Sequence, residues 1–174
     1  MTHTTATHPR STSGTRTRHP VGRDLLVLAT FVGGAVLAAG LGSLATSSST
    51  DSQWFLALDK PAWYPPSSAF GIVWTVLYVM IAASGFLAWR SGADRGAIGW
   101  WWGQMVLNLA WSVVFFGLRS PGWAMVVIVA MVVAIAGTIR AFAPVDRRAA
   151  ALLLPYLAWV LFASTLNAAI VVLN

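Results

Sequence analysis

Apolar residues occur in this chain as long uninterrupted runs, and short polar stretches separate one run from the next. Five runs reach or approach the roughly 20 residues that a helix needs to cross a bilayer. They cover about Leu25 to Ala45, Ala69 to Trp89, Gly96 to Leu118, Gly122 to Ala143 and Ala149 to Leu173. Only helices and closed barrels satisfy their backbone hydrogen bonds in lipid, and a barrel would show short alternating segments instead. The pattern therefore predicts an all-α membrane protein, a bundle of five transmembrane helices.

The polar stretches predict how these helices are connected. Residues 1–23 are mostly Thr, Ser, His, Arg and Pro, a composition that cannot bury enough apolar surface to order itself. We therefore expect a disordered basic N-terminal tail, without the cleavage site of a signal peptide, followed by one transmembrane domain over residues 24–174. The first link, about residues 46–68, is long. The other links have only a few residues, so the helices that they join are antiparallel neighbours.

Composition and charge agree with a membrane location and predict an orientation. Hydrophobic residues make up 57% of the chain and charged residues 9%, against about 25% charged residues in soluble domains. Nine of the eleven Lys and Arg residues lie in the tail and in the second and fourth links, whereas Lys60 and Arg119 lie on the opposite side. The positive-inside rule then places the N-terminus in the cytoplasm and the C-terminus outside, in what we expect to be a bacterial cell membrane. Because topology explains the net charge of +6, no nucleic-acid partner is expected.

Candidate catalytic chemistry is sparse inside the predicted spans. The chain has no cysteine, its histidines are His3, His8 and His19 in the tail, and no Asp, Glu, Lys or His lies in the middle of a span. Proton relays and ion pathways normally need buried ionisable groups. Hydrolytic and metal catalysis need a base, a nucleophile or a cluster of ligands. We therefore expect no metal site and no cofactor.

Tryptophan is abundant, with ten residues in the chain. Trp89 and the run Trp100 to Trp102 lie near the cytoplasmic ends of spans, where an interfacial aromatic belt explains them; Trp123 fits such a belt less well. A rise of about 1.5 Å per residue places three other rings deeper, beneath the first link. These are Trp74, Trp111 and Trp159.

Polar residues share helix faces with these deep rings. The residues that recur every four positions are Gln104, Asn108 and Ser112 in the third span and Trp159, Ala163 and Asn167 in the fifth. Gln104 and Asn167 are as consistent with hydrogen bonds between helices as with a binding site. Asn108 lies one turn from Trp111 and two turns from Phe115, on the same helix face. An amide among aromatic walls is typical of a small-molecule site, so these three residues are predicted to line a pocket.

The end of the first link, LDKPAWYPPSSAFGIVWTVLY, combines prolines with aromatic residues. Pro65 and Pro66 stand where the second span begins, and a first helical turn tolerates proline because its N–H would be unpaired there. We interpret the link as an ordered lid whose aromatic residues cover the outer mouth of the bundle. A rigid lid avoids the entropy that a flexible one loses at each binding event. The covering residues are Trp54, Trp63 and Tyr64.

Four segments carry a resemblance to a known family. They are WFLALDKPAWYPPSSAFGIVWTVLY, GQMVLNLAWSVVFFG, SPGWA and LLPYLAWVLFASTLN, in this order along residues 24–174. The chain resembles the TspO family of tryptophan-rich sensory proteins, which are related to the translocator protein or peripheral benzodiazepine receptor. The resemblance implies a five-helix bundle, usually a homodimer, that binds porphyrins such as protoporphyrin IX and haem, sterol-like lipids and benzodiazepine-type drugs. The sterol-recognition stretch of animal members has no counterpart before Asn174.

The same resemblance assigns site residues, motif by motif. It implies that Trp74 in VWTVLY, Asn108 and Trp111 in NLAW, Trp123 in PGWA and Trp159 in LAW face the pocket, and that Ala163 occupies a small position associated with sterol sensitivity. The complete set of candidate ligand-binding residues is Trp54, Trp63, Tyr64, Trp74, Tyr78, Asn108, Trp111, Phe115, Trp123, Trp159 and Ala163.

Three functions are compatible with this sequence. The first, which we favour, is a receptor or sensor that binds porphyrin in the aromatic pocket. The second is an enzyme that degrades porphyrin in a light-dependent reaction, in which Trp74 and Trp159 would be the catalytic residues. The third is a porphyrin or metabolite transporter. A homodimer could form through Gly99 and Gly103 of the third span or through a row of small residues in the first. That row is Gly34, Ala38 and Gly42.

Overall fold

A computed structural model describes residues 21–174, apart from the side chains of Ser48 and Ser49. Within these residues the regular elements are helices, as the sequence predicts, and no strand occurs. The predicted disordered tail and its three histidines lie almost wholly outside the described residues. Its last residues differ from the prediction, because the first helix already begins at Val21.

Seven α-helices and one π-helical turn form the described part of the chain. They are α1 (Val21–Thr50), α2 (Gln53–Ala57), α3 (Ser67–Arg90), α4 (Arg95–Ser112), the π-helical turn (Val113–Gly117), α5 (Pro121–Phe142), α6 (Arg147–Ala151) and α7 (Leu154–Leu173). Four segments are long and apolar enough to cross a bilayer, and the protein is an integral membrane protein. These segments are Val21–Ser47, Ser67–Arg90, Pro121–Phe142 and Arg147–Leu173. The predicted third span is occupied by α4 and the π-helical turn, but Gln104, Asn108 and Arg95 lower the hydropathy of α4. A fifth span therefore stays a prediction.

The first helix is longer than its apolar run because its Ser and Thr residues are satisfied within the helix. The hydroxyl groups of Ser43 and Thr46 donate to the carbonyl oxygens of Gly40 and Gly42, at 2.9 and 2.8 Å. Such back-bonding lets a polar stretch continue a helix with its hydroxyls paired. The first link is consequently shorter than predicted, and Ser52 caps a short helix, α2, inside it by accepting the N–H of Phe55 at 3.2 Å.

The predicted fifth span is divided into α6 and α7. Pro155 lies in the first turn of α7, where it has no N–H to donate to a carbonyl in the preceding turn, so the α-helical hydrogen-bond ladder is interrupted there. The break falls at Leu152 and Leu153, and the N–H of Leu157 bonds the carbonyl of Leu153 at 2.9 Å to restart the helix.

The long helices are arranged in a ring in the order α3, α1, α4, α5 and α7. Neighbours in this order pack closely, except that α7 and α3 share only a small contact where the ring closes. The small-residue row of α1 packs against α4, since a Cβ atom at Gly34 would lie 2.7 Å from the ring of Trp102. That row therefore packs against another helix of the same chain, and this contact leaves it unsuited to a dimer interface.

Trp101 lies at the centre of the core, so the prediction that it belongs to an interfacial belt is wrong. Its side chain has 0% exposure, its Nε1 donates to the carbonyl of Ile81 at 3.0 Å, and its ring meets Phe31 edge-on at 4.8 Å. Gly85 provides the space, because a Cβ there would stand 2.6 Å from Phe31 and 2.9 Å from Trp101. Of the three consecutive tryptophans, Trp100 is 46% exposed and fits the belt.

The basic links gather at one end of the ring. Arg90 at the end of α3 forms an ion pair with Asp24 in α1 at 3.8 Å, and the hydroxyl of Ser91 donates to Asp146 at 3.0 Å. The guanidinium of Arg23 stands 5.6 Å from the centre of the Trp89 ring. Contacts between α1, α3 and the loop after α5 thus fix these helix ends at one level. The first link lies at the opposite end.

Candidate ligand-binding site

Helix α3 begins well below the C-terminal end of α7, and this offset creates the site. Phe70, in the first turn of α3, meets Trp159 at a ring distance of 5.6 Å. Trp159 lies 14 residues before Leu173, the last residue of α7, which is about 21 Å at 1.5 Å per residue. The first link therefore descends along α7 before α3 starts, and it occupies the place where a longer α3 would have closed the bundle.

The top of this descending segment is held by side chains that mimic backbone partners. The amide of Asn174 accepts the N–H of Asp59 at 3.0 Å and donates to its carbonyl at 3.1 Å. The ammonium of Lys60 donates to the carbonyls of Phe55 and Leu58 at 2.7 and 3.2 Å. Irregular backbone at membrane depth needs such partners, because unpaired polar groups are costly away from water.

The prolines lower in the segment also reduce the number of backbone polar groups that need a partner. Pro61, Pro65 and Pro66 have no N–H group that would need an acceptor. Two of their carbonyls are paired locally, that of Pro61 by the N–H of Tyr64 at 2.9 Å and that of Pro66 by the N–H of Ala69 at 3.0 Å. The Pro-rich sequence thus lets an irregular segment enter the bundle with few unpaired donors, and it shapes the lid that the sequence predicts.

Beneath and beside this lid lies a cavity of about 1260 Å³. Ligand pockets usually measure roughly 300–1,000 Å³, so this cavity has room for a large ligand. Eight of the eleven predicted site residues line it, and they come from the lid, α3, α4, the π-helical turn and α7. They are Tyr64, Trp74, Tyr78, Asn108, Trp111, Phe115, Trp159 and Ala163. Burial raises the pKa of the Tyr64 hydroxyl above its ordinary value.

A chain of hydrogen bonds fixes the polar groups on the cavity wall. The hydroxyl of Tyr78 donates to Oδ1 of Asn108 at 2.7 Å, and Nδ2 of Asn108 donates to the hydroxyl of Tyr156 at 3.2 Å. Tyr156 in turn donates to the sulfur of Met131 at 3.4 Å. Tyr156 is fully buried, so it positions Asn108 from behind while Tyr78 and Asn108 face the cavity.

Two tryptophans on the wall differ in their hydrogen bonding. Nε1 of Trp111 donates to Asn167 at 3.0 Å, and Nδ2 of Asn167 donates to the carbonyl of Pro121 at 2.9 Å. Asn167 therefore bridges three elements, which is the interhelical role that its spacing allowed. Nε1 of Trp159 is buried and has no hydrogen-bond partner among the described residues.

The first link packs against the π-helical turn. The turn directs two consecutive residues inward, so that Phe115 and Phe116 are 3% and 7% exposed. Trp54 meets Phe115 at 6.0 Å and Phe55 meets Phe116 at 5.7 Å. Trp54 therefore packs behind the cavity and does not line it. Trp54 lies in the first link, as the sequence interpretation has it, but its ring contacts Phe115 and not the cavity.

Two further predicted residues do not line the cavity. Trp63 is 58% exposed on the first link, and Trp123 is 70% exposed. Trp123 lies in the first turn of α5, and its ring points away from the bundle, as expected of a ring in an interfacial belt. The motif PGWA thus predicted the level of Trp123 along the helix but not the direction of its ring.

Several lining residues were not among the predicted ones. They include Phe70, Lys60, Met131, Val160 and Asn167. Phe70 lies four residues before Trp74 and Val160 lies three residues before Ala163, so each extends the helix face of a predicted residue by one turn, a signal that was present in the sequence. The inward direction of Lys60 depends on the carbonyls it binds in the lid, which no periodicity indicates.

The cavity also has a side opening. Val36 in α1 and Val79 in α3 line it while being 62% and 66% exposed, so the cavity reaches the lipid-facing surface between these two helices. Toward the basic end it is closed by the buried cluster that contains Phe31, Ile81 and Trp101. Within residues 21–174 no group of three His, Cys, Asp or Glu residues could hold a metal ion. The lining thus offers stacking, burial and a few hydrogen bonds.

The chain matches known proteins over most of its length. The model of the TspO/MBR family matches residues 27–173. A tryptophan-rich protein TspO of Archaeoglobus fulgidus is 41% identical over 143 residues, which cover 80% of this chain and 92% of that protein. The human translocator protein is 39% identical over 142 residues, which cover 77% of this chain and 84% of that protein. A tryptophan-rich protein TspO of Chlorobaculum tepidum is 37% identical over 158 residues, which cover 87% of this chain and 98% of that protein.

Proposed function

Because this chain belongs to the TspO/MBR family, we propose that it is a membrane receptor that reversibly binds porphyrins, such as protoporphyrin IX and haem, and related hydrophobic ligands. The observation that carries the proposal is the aromatic cavity under the first link. Its wall presents flat rings for stacking and a fixed Tyr78–Asn108 pair for orientation. The side opening between α1 and α3 supports entry of hydrophobic ligands from the bilayer.

Incubation of the purified protein with protoporphyrin IX in darkness and in light tests this function against the enzymatic alternative. Trp74 and Trp159 both line the cavity, which is the observation that favours porphyrin degradation as the second candidate. A receptor returns the porphyrin unchanged after both incubations. Loss of the porphyrin absorption band in light, but not in a protein-free control, identifies the enzyme. Absence of saturable binding in either condition contradicts both functions.

We also propose that α4 and the π-helical turn form a fifth span, with the N-terminus in the cytoplasm. The gathering of basic links at one end supports this orientation. The chain has no cysteine, so Ala57→Cys in α2 and Ala143→Cys after α5 are matched exposed probes. On intact cells an impermeant thiol reagent is expected to label Ala57→Cys alone. Labelling of Ala143→Cys alone would reverse the orientation.

A homodimer through α4 is a further part of the proposal. A Cβ at Gly99 or Gly103 would have no atom within 4 Å, so this face of α4 is open for close approach of a second helix. The double substitution Gly99→Leu with Gly103→Leu is expected to lower the dimer fraction in detergent, measured by light scattering. Gly33→Leu on α1, where the space is equally open, is the matched control. A dimer that survives the α4 change would place the interface elsewhere.

A further inference from the structure

We propose that Lys60 binds the acidic group of the ligand, so that the cavity selects apolar molecules carrying a carboxylate over their neutral esters. This inference rests on the proposed function and names the chemical class of its ligand. It starts from the position of one cation in a largely apolar cavity. Lys60 lines the cavity and is half-buried.

No protein carboxylate neutralises this ammonium in the described part of the chain. The ion pair found among residues 21–174 joins Arg90 to Asp24, at the opposite end of the bundle. Asp51 also lines the cavity, but it is exposed at the rim and not within ion-pair distance of Lys60. A half-buried charge without a counterion is unfavourable, and an anion in the cavity would offset that cost.

The ammonium is held in place and keeps a donor for the ligand. Two of its three N–H groups are directed at the carbonyls of Phe55 and Leu58, and its nitrogen stands 4.5 Å from the centre of the Phe55 ring. These partners are dipoles and a ring face, which orient the cation but do not cancel its charge. The third N–H is available to a carboxylate oxygen, in a charge-assisted hydrogen bond.

The distribution of the other lining groups sets the shape of the ligand. Phe70, Trp74 and Trp159 offer aromatic surfaces below the lid, and the Tyr78–Asn108 pair lies further from it. A suitable ligand therefore has a broad apolar body and an acidic edge that points up to the first link. A molecule whose polar end is a neutral hydroxyl would leave the charge of Lys60 uncompensated.

A structural role is the alternative for Lys60. Its bonds to the carbonyls at the end of α2 resemble a helix cap, and a cap would be needed for any ligand, charged or neutral. The two roles predict different results for an acid and its ester. Loss of a cap weakens the binding of both probes, whereas loss of an anion partner weakens the binding of the acid alone.

The experiment compares two acid and ester pairs on protein in nanodiscs of neutral phosphatidylcholine. One pair is protoporphyrin IX and its dimethyl ester, and the other is the fluorescent cis-parinaric acid and its methyl ester; empty nanodiscs correct for partition into lipid. We expect the wild-type protein to prefer each acid by about tenfold, the effect of one hydrogen bond to a charged group. Lys60→Met is expected to lose this preference and to keep its affinity for the esters within about twofold, since methionine retains the apolar stem.

Two substitutions serve as controls for charge. Lys60→Arg keeps the cation and is expected to retain most of the preference. Arg119 is the other cation predicted for the outer side, and it does not line the cavity. The variant Arg119→Gln is therefore expected to behave as wild type.

Each outcome decides the question. Equal weakening of acid and ester binding by Lys60→Met, or an acid preference that survives it, overturns the inference in favour of a structural role. If neither porphyrin binds but the parinaric acid preference is lost in Lys60→Met, the porphyrin function fails and the role of Lys60 stands. If no probe of either pair binds, the cavity is not a site for acidic amphiphiles and the inference is overturned.

Discussion

Trp74→Ala and Trp159→Ala each weaken the binding of protoporphyrin IX by about tenfold or more. Both rings line the cavity, Trp74 between Tyr78 at 5.3 Å and Tyr156 at 6.0 Å. Aromatic stacking contributes about 0.5–1.5 kcal/mol per pair beyond area burial. Loss of the ring also leaves an unfilled wall, so the total exceeds the 1.4 kcal/mol that corresponds to about tenfold in affinity.

A porphyrin titration followed by the quenching of tryptophan fluorescence, or by the porphyrin absorption band, measures this loss. Trp123→Ala is the matched control, since that ring is exposed and outside the cavity, and its affinity should equal that of wild type. Trp159→Phe keeps a ring but removes the unpartnered N–H, and we expect it to fall between wild type and alanine. Deletion of residues 2–20 removes all three histidines. If this deletion abolishes binding while both alanine variants retain it, the site is in the tail and not in the cavity.

Trp101→Ala lowers the free energy of unfolding by about 3 kcal/mol, the lower end of the range for removing a large buried aromatic ring. The lower end applies because the unfolded helices stay in an apolar solvent, so that packing rather than transfer from water is lost. Trp101 has 0% exposure and fills the space between Phe31 and Gly85. Its removal leaves a void that the surrounding rings cannot fill without moving.

Unfolding by sodium dodecyl sulfate, followed by circular dichroism, measures this change, with Trp123→Ala as the exposed tryptophan for comparison. Porphyrin affinity at low temperature, where the variant is still folded, should change little because Trp101 does not line the cavity. Equal stability of the two variants would show that Trp101 contributes no more to the fold than a ring on the surface.

The sequence predicted the elements that depend on the length of an apolar run or on its period. The second and fourth spans agree with α3 and α5 to within two residues at each end. Asn108, Trp111 and Phe115 were assigned to one pocket because they share a helix face, and all three line the cavity. Such patterns are local, since they are properties of one helix and of its depth in the bilayer.

What the sequence did not predict depends on contacts between helices. Of three consecutive tryptophans, Trp101 faces the core because Gly85 of α3 leaves a space there, and nothing within α4 indicates this choice. Tyr156 reaches Asn108 only after α7 is packed beside α5. Trp123 matched a family motif, but a motif fixes a position in the chain and not the direction of a ring around the helix axis.

The π-helical turn has a consequence for how chain length can vary in this family. The N–H of Leu118 bonds the carbonyl of Val113, five residues earlier, at 2.9 Å, so the turn holds one residue more than an α-helical turn. Deletion of one residue within Val113–Gly117 would convert it to ordinary α-helix and leave Asn108 and Trp111 in register below. The loss would be one of the two inward phenylalanines on which the first link rests. A one-residue gap at this point in an alignment would therefore mark a relative whose first link rests on a single ring.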